Sequence, residues 1–192
     1  MSQVIDWPGR MQELAEFVGL DQEGLELIQS TRDIILAHGD DLTASVYDNF
    51  LDFPETRRFF TDERGEVNEE RLTRRKHSLM RWLRGSVDFQ MDADYPIRVL
   101  ATGIVHSHPP LHRSHLGSVP ARFMIGTIGY IQAAVTDLLR RELDDQELAL
   151  RAASAWNRML TLQLDIMLAG YITEVPNEPV PGEPQYTGPG AE

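Results

Sequence analysis

At 192 residues the chain can bury a full core in one domain, and its 30 acidic against 18 basic side chains leave a net charge of −12, so no general positive field gathers phosphates or anionic lipid. Nucleic acid and membrane surfaces are therefore not expected partners. With no cysteine, disulfides, iron–sulfur clusters and thiolate-held haem are excluded; the first twenty residues lack a signal-peptide pattern and no apolar run reaches bilayer length, so the cytoplasm is the expected compartment.

Residues 1–9 read as an irregular arm anchored by Trp7-Pro8-Gly9. Met11, Leu14, Ala15, Phe17 and Val18 then form a short amphipathic helix stopped by Gly19. Asp21 caps the next helix, whose apolar positions Leu25, Ile28, Ile35 and Leu36 run to a stop at His38-Gly39, with His38 as a cation at the C-terminal end. A further helix opens at Asp40 or Asp41, carries Leu42, Val46, Tyr47, Phe50 and Leu51, and closes at Phe53-Pro54. After the aromatic pair Phe59-Phe60 and a polar loop, residues 69–84 show Leu72, Leu79 and Leu83 at helical spacing, with Gly85 as the stop and a short segment of Val87, Phe89 and Met91 beyond.

The stretch Gly103-Ile104-Val105-His106 ends the next helix, which starts at Asp94 or Tyr95 and tolerates Pro96 in its first turn. Tyr95, Val99 and Thr102 precede His106 by 11, 7 and 4 residues and so share its face. Because Pro109 and Pro110 cannot extend the helix, the imidazole projects from its last turn. Held there, it can ligate a flat iron cofactor, and its second ring nitrogen can donate to an acceptor near the helix end such as Thr102.

Two long helices follow, one from Val119 or Pro120 to about Arg141 and one capped by Asp144-Asp145 and running to Tyr171. Strand signals are absent, so the fold class is all-α, with a domain over residues 1–173 and a disordered Pro/Gly-rich tail over 174–192.

Several of these pieces resemble globins of the globin-coupled sensor and protoglobin lineage. Gly103-x-x-His106 is similar to the end of their proximal helix, Val119-Pro120-Ala121-Arg122-Phe123-Met124-Ile125 to the opening of the long helix after it, Val46-Tyr47-Asp48 with Phe53-Pro54-Glu55 to their distal tyrosine segment, and Trp7-Pro8-Gly9 to the protoglobin arm. The resemblance implies a globin fold with an extra N-terminal helix and arm over residues 1–19, a haem b held by His106, and reversible binding of a diatomic gas (O2, CO or NO) for sensing or scavenging. It implies that Tyr47 donates a hydrogen bond to bound dioxygen, that Phe59 and Phe60 wedge against the haem, and that Leu79 packs on the porphyrin with Val99, Thr102 and Phe123. Arg75 or Lys76 then reaches a propionate or swings into the pocket, and Arg122 is either a propionate partner or an exposed base. A homodimer through the two last long helices is expected, on Ile131, Val135, Leu138, Leu160, Leu164, Met167, Leu168 and Tyr171, with Gly126, Gly129, Ala133 and Ala134 allowing close approach. A separate signalling or reductase partner would serve it.

Two other readings use the same residues. His106, His108, His112 and His115 supply enough imidazoles for zinc or copper, although the Pro-Pro pair breaks their spacing and no carboxylate joins them. A globin-shaped regulatory module without haem would not need His106 and Tyr47. No acid–base pair is set apart for catalysis, so ligand binding is the more economical reading, with side chemistry on nitric oxide or peroxide left open.

Overall fold

A computed structural model describes residues 5–89 and 94–172, apart from the side chains of His112 and Arg113. Among the described residues there are nine α-helices: α1 (Trp7–Val18), α2 (Gln22–Ser30), α3 (Arg32–Ala37), α4 (Gly39–Asp52), α5 (Pro54–Arg57), α6 (Glu69–Val87), α7 (Tyr95–Ser107), α8 (Ala121–Glu142) and α9 (Gln146–Ile172), with a 3-10 helix at Leu111–Leu116 before α8. The only extended pairing among them is one antiparallel bridge, Thr61 to Val67, in the loop before α6. Met91 and the 174–192 tail lie outside the described residues.

Most helix ends follow from local chemistry. Asp21 caps α2 by accepting from Gly24 N at 2.9 Å, Asn68 caps α6 by accepting from Arg71 N at 2.9 Å, and Asp145 caps α9 through the Glu147 and Leu148 amides. Gly19 takes the left-handed conformation, φ 72°, that ends α1.

Three boundaries differ from the sequence expectation. Trp7, Pro8 and Gly9 are not an irregular arm but the first turn of α1, because Asp6 accepts from Gly9 N and Pro8 fits where no amide partner is needed. Gly85 does not stop α6, which runs to Val87; the buried Ser86 and Val87 hold the last turn against the core. The helix expected from Asp21 to His38 is broken at Thr31, where φ −96° and ψ 3° separate α2 from α3. Thr31 Oγ1 donates back to the Ile28 carbonyl and accepts from the fully buried Trp156 Nε1 at 2.9 Å, a contact made across 125 residues.

The last helix is the axis of the core. Trp156, Met159, Leu160, Leu162, Gln163 and Ile166 on α9 are all 0% exposed, and α9 packs on α1, α2, α7 and α8. An aromatic side chain removes about 150–250 Å² from water, roughly 4–6 kcal/mol before ordering costs, so Trp156 alone is a major anchor. Gln163 Nε2 donates toward Tyr95 Oη at 2.7 Å and Ser86 Oγ at 3.1 Å, tying α9 to α7 and α6. This packing changes the meaning of the apolar stripes assigned to a dimer: Ile131, Val135, Leu138, Leu160 and Met167 are buried inside the single chain at 7% exposure or less.

The tightest crossing is α7 on α9. A Cβ on Gly103 would lie 2.0 Å from the Met167 carbonyl oxygen, and one on Gly170 would lie 2.7 Å from Ile104 N. Ser107 Oγ bridges the same crossing, 2.9 Å from the Gly170 carbonyl oxygen. The end of α7 is thereby fixed one turn from His106.

Candidate functional site

Between α4, α6, α7 and α8 lies a cavity of about 460 Å³, within the size range of cofactor sites. Its walls are mostly apolar and aromatic. On the α4 and α6 side stand Tyr47, Phe50, Phe60, Arg75, Leu79 and Trp82; on the α7 side stand Thr102, Val105 and His106; Phe123, Met124, Thr127, Ile128 and Ile131 come from α8.

Each wall has a local cause. On α6, Arg75, Leu79 and Trp82 are spaced i, i+4, i+7 and all line the cavity, as one helix face requires. On α4, Tyr47 and Phe50 are one turn apart, and both meet Phe60: Tyr47 stands edge-on to Phe50 and Phe60 at centroid distances of 5.5 and 5.4 Å, while Phe50 and Phe60 stack at 5.9 Å. These rings fix the phenol of Tyr47, which is only 7% exposed. Burial pushes its pKa well above the usual tyrosine range, and the charge of Arg75 draws it partly back.

His106 occupies the last turn of α7, with Nδ1 2.7 Å from the carbonyl oxygen of Thr102. A carbonyl only accepts, so Nδ1 carries the proton and the lone pair of the neutral ring is on Nε2. The backbone after it is also tied down: the His106 carbonyl accepts from Val119 N at 2.9 Å, bringing the segment before α8 onto the cavity.

Of the residues singled out in the sequence, Tyr47, Phe59, Phe60, Arg75, Leu79, Thr102, His106 and Phe123 come together around this cavity. Lys76, Val99 and Arg122 are not among its lining residues. Lys76 is one residue, and so about 100° of helix rotation, from Arg75. Val99 lies about 10 Å down the helix from His106 and is buried at 4% exposure in the main core. Arg122 is exposed, its guanidinium carbon 4.7 Å from the ring centroid of Phe123. His106 and His108 also part company. His108 is exposed and meets Ser107 Oγ at 2.9 Å, whereas His106 lines the cavity, and no group of three or more His, Cys, Asp or Glu suited to a metal occurs among the described residues.

Phe50, Trp82, Val119 and Met167 also line the cavity without having been assigned to it. Trp82 was legible as the i+7 partner of Arg75. Met167 was not, because it reaches the cavity only through the α7–α9 crossing. Among the described residues, no helix is long and apolar enough to cross a membrane.

The architecture is the globin fold. It superposes on the globin domain of the Geobacter sulfurreducens globin-coupled sensor with a TM-score of 0.67 and 20% identity, covering 85% of this chain and 98% of that one. The ferric globin domain of E. coli DosC matches with a TM-score of 0.65 and 14% identity, covering 84% and 99%. No curated protein sequence matches the chain. The protoglobin family model, however, matches residues 8–176, and the chain belongs to the protoglobin family.

Proposed function

We propose that the cavity holds a haem b ligated by His106 and that the protein reversibly binds a diatomic gas, O2, CO or NO, as a sensor or scavenger. The observation that carries this reading is the Nδ1–H of His106 held by the Thr102 carbonyl at 2.7 Å, which leaves Nε2 as the lone-pair donor at an apolar cavity. A neutral imidazole oriented by a backbone acceptor is the donor state that a metal requires. The walls fit the remainder of the group, with Leu79, Phe60 and Phe123 offering apolar contact to a flat ring. The DosC domain, similar in fold, is named in its ferric form, which further supports iron. When bound, haem iron with one protein ligand supplies an open position for a gas.

The chain's own residues then set what that position sees. Tyr47, a phenol that is neutral at physiological pH even at its ordinary pKa and that burial holds further from ionisation, is a hydrogen-bond donor to a polar diatomic ligand. Phe50 and Phe60 exclude water around it. The homodimer through the two last long helices belongs to this proposal too: of the residues expected at its interface Leu164, Leu168 and Tyr171 on α9 are only half-buried, and on α8 Ile125 is 49% and Tyr130 37% exposed, beside Gly126 and Gly129, where an added Cβ would meet nothing. A separate signalling or reductase partner completes the reading.

An absorption spectrum of the purified, haem-supplied protein tests it. The expected result is a Soret band that shifts on reduction and again on adding carbon monoxide. No Soret band, or one unmoved by carbon monoxide after reduction, overturns the proposal.

A further inference from the structure

Along α6, Arg74, His77, Arg81 and Arg84 recur at i, i+3, i+7 and i+10 and are all exposed, so they form one stripe on the outer side of a helix whose other side lines the cavity. The carboxylates nearest to this stripe along the helix are committed. Glu70 pairs with Arg74 at 3.6 Å, and Asp88, four residues after Arg84, pairs with Arg32 at 2.9 Å. Among the described residues, Arg81 and Arg84 meet no carboxylate. Arg84 lies in the last turn of α6, where a cation suits the helix end. Arg74 and Arg81 lie beyond the reach of that effect.

In a chain of net charge −12, the stripe attracts a negative partner locally while the molecule as a whole repels it. A segment of the same chain is already tethered and meets the stripe at an effective concentration in the millimolar range. Residues 173–192, which follow α9, hold Glu174, Glu178, Glu183 and Glu192 and no lysine, arginine or histidine. Reach decides which of these matter. Gln163 on α9 touches Ser86 on α6 at 3.1 Å, and the end of α9 at Ile172 is nine residues further on, about 14 Å along the helix. Adding the spacing of the two helices and the way round α6, each about 10 Å, puts the outer side of α6 within about 35 Å of Ile172. At about 3.3–3.6 Å per residue Glu183 reaches about 36 Å or more and Glu192 farther, whereas Glu174 falls short.

We propose that the outer stripe of α6 is the docking surface for the chain's own acidic segment around Glu183 and Glu192, held by Arg81 and Arg84 with Arg74 further along. Exposed ion pairs are individually weak and screened by salt, so tethering rather than affinity keeps the contact occupied. The segment lies against the helix that supplies Arg75, Leu79 and Trp82 to the cavity wall. The inference stands on charge and reach and does not rest on the haem-binding reading.

Because the chain has no cysteine, Gln185→Cys in the full-length protein accepts a single nitroxide, and broadening of the amide resonances of an isotope-labelled sample reports what residue 185 approaches. The same chain carrying a diamagnetic analogue of the label is the reference, which cancels any effect of bound iron. Selective broadening around Arg81 and Arg84 is expected. It is expected to weaken at least about threefold on raising salt from about 50 to about 500 mM, a change that shortens the screening length roughly threefold. Glu183→Gln with Glu192→Gln is expected to remove it, as is Arg81→Glu with Arg84→Glu, both of which alter exposed positions of α6 and leave helicity unchanged. Joining Arg81→Glu and Arg84→Glu to Glu183→Arg and Glu192→Arg is expected to restore it. Broadening that is uniform, that lies on another face, or that ignores these charge changes overturns the proposal. So does broadening at full strength in a mixture of spin-labelled, isotope-free chains with isotope-labelled chains lacking the nitroxide, which assigns the stripe to the segment of a second copy.

Discussion

Gly103 approaches α9 so closely that a Cβ placed on it would stand 2.0 Å from the carbonyl oxygen of Met167. The atom it would strike is backbone, not the end of a flexible side chain, so the two helices would have to separate. Three residues further on is His106, and Met167 itself lines the cavity. The crossing that stabilises the core is therefore also what sets the position of the imidazole.

Gly103→Ala is expected to destabilise the fold by about 1–3 kcal/mol or more, the usual cost of forcing volume into a packed site. Gly85→Ala serves as its counterpart, since a Cβ there meets nothing within 4 Å and the residue lies inside α6; it is expected to stabilise by up to about 1 kcal/mol. Urea unfolding of both variants checks the pair, and equal midpoints would contradict the crossing.

His106→Ala is expected to abolish or greatly weaken haem retention, while His108→Ala, His112→Ala and His115→Ala keep the spectrum. His106 lines the cavity with a defined tautomer, and His108 is directed to Ser107 instead. Haem titration of the four apoproteins decides it. Loss of the Soret band on replacing His112 or His115 alone would refute the assignment.

Tyr47→Phe is expected to speed dioxygen release about ten- to a hundredfold, the equivalent of one lost hydrogen bond of about 1.5–3 kcal/mol to a strongly polar ligand. Carbon monoxide is less polar, and its release is expected to change much less. Stopped-flow release rates for the two gases separate this from a steric effect, which would alter both equally.

Alkaline pH supplies an independent measure of burial. The ordinary tyrosine value is 10.0, and burial pushes Tyr171 up to about 12 and Tyr47 further in the same direction. The folded state thus holds these protons more tightly than the unfolded chain. Their contribution is fully present below pH 10 and is lost as pH rises toward and through 12. Urea midpoints are expected to fall between pH 10 and 11.5, with a shallower slope in Tyr47→Phe and Tyr171→Phe; slopes identical to wild type in both variants would show that neither phenol is buried in solution.

Light scattering is expected to give twice the 21.8 kDa chain mass. Gly129→Arg, at an exposed position of α8 where a side chain meets nothing in its own chain, is expected to reduce it to one chain without loss of helicity. A wild-type mass that stays at one chain over a tenfold concentration range would eliminate the dimer.

The sequence by itself determined that the chain is helical, where most helices begin, and which residue types could face a cofactor. Apolar spacing near 3.6, together with caps at Asp21 and Asp145, are local signals, and the chemistry of a side chain one turn from its neighbours is fixed by helix geometry alone. For the same reason Thr102 and His106 could be named together, with Trp82 recoverable from the i+7 position of Arg75; Tyr47 and Leu79, on other helices, joined them only through the resemblance to sensor globins and protoglobins. What is not local was not legible. The break at Thr31 depends on Trp156, 125 residues away. Gly85 could be a stop or an interior residue until Ser86 and Val87 were seen to be buried. Apolar stripes on α8 and α9 fit a dimer or a core equally well, because periodicity states that a face is covered without stating by what. Only tertiary packing, with α9 passing through the centre and Gly103 admitting it against α7, decided that Ile131, Val135, Leu138, Leu160 and Met167 meet inside one chain and that Met167 and His106 share a cavity.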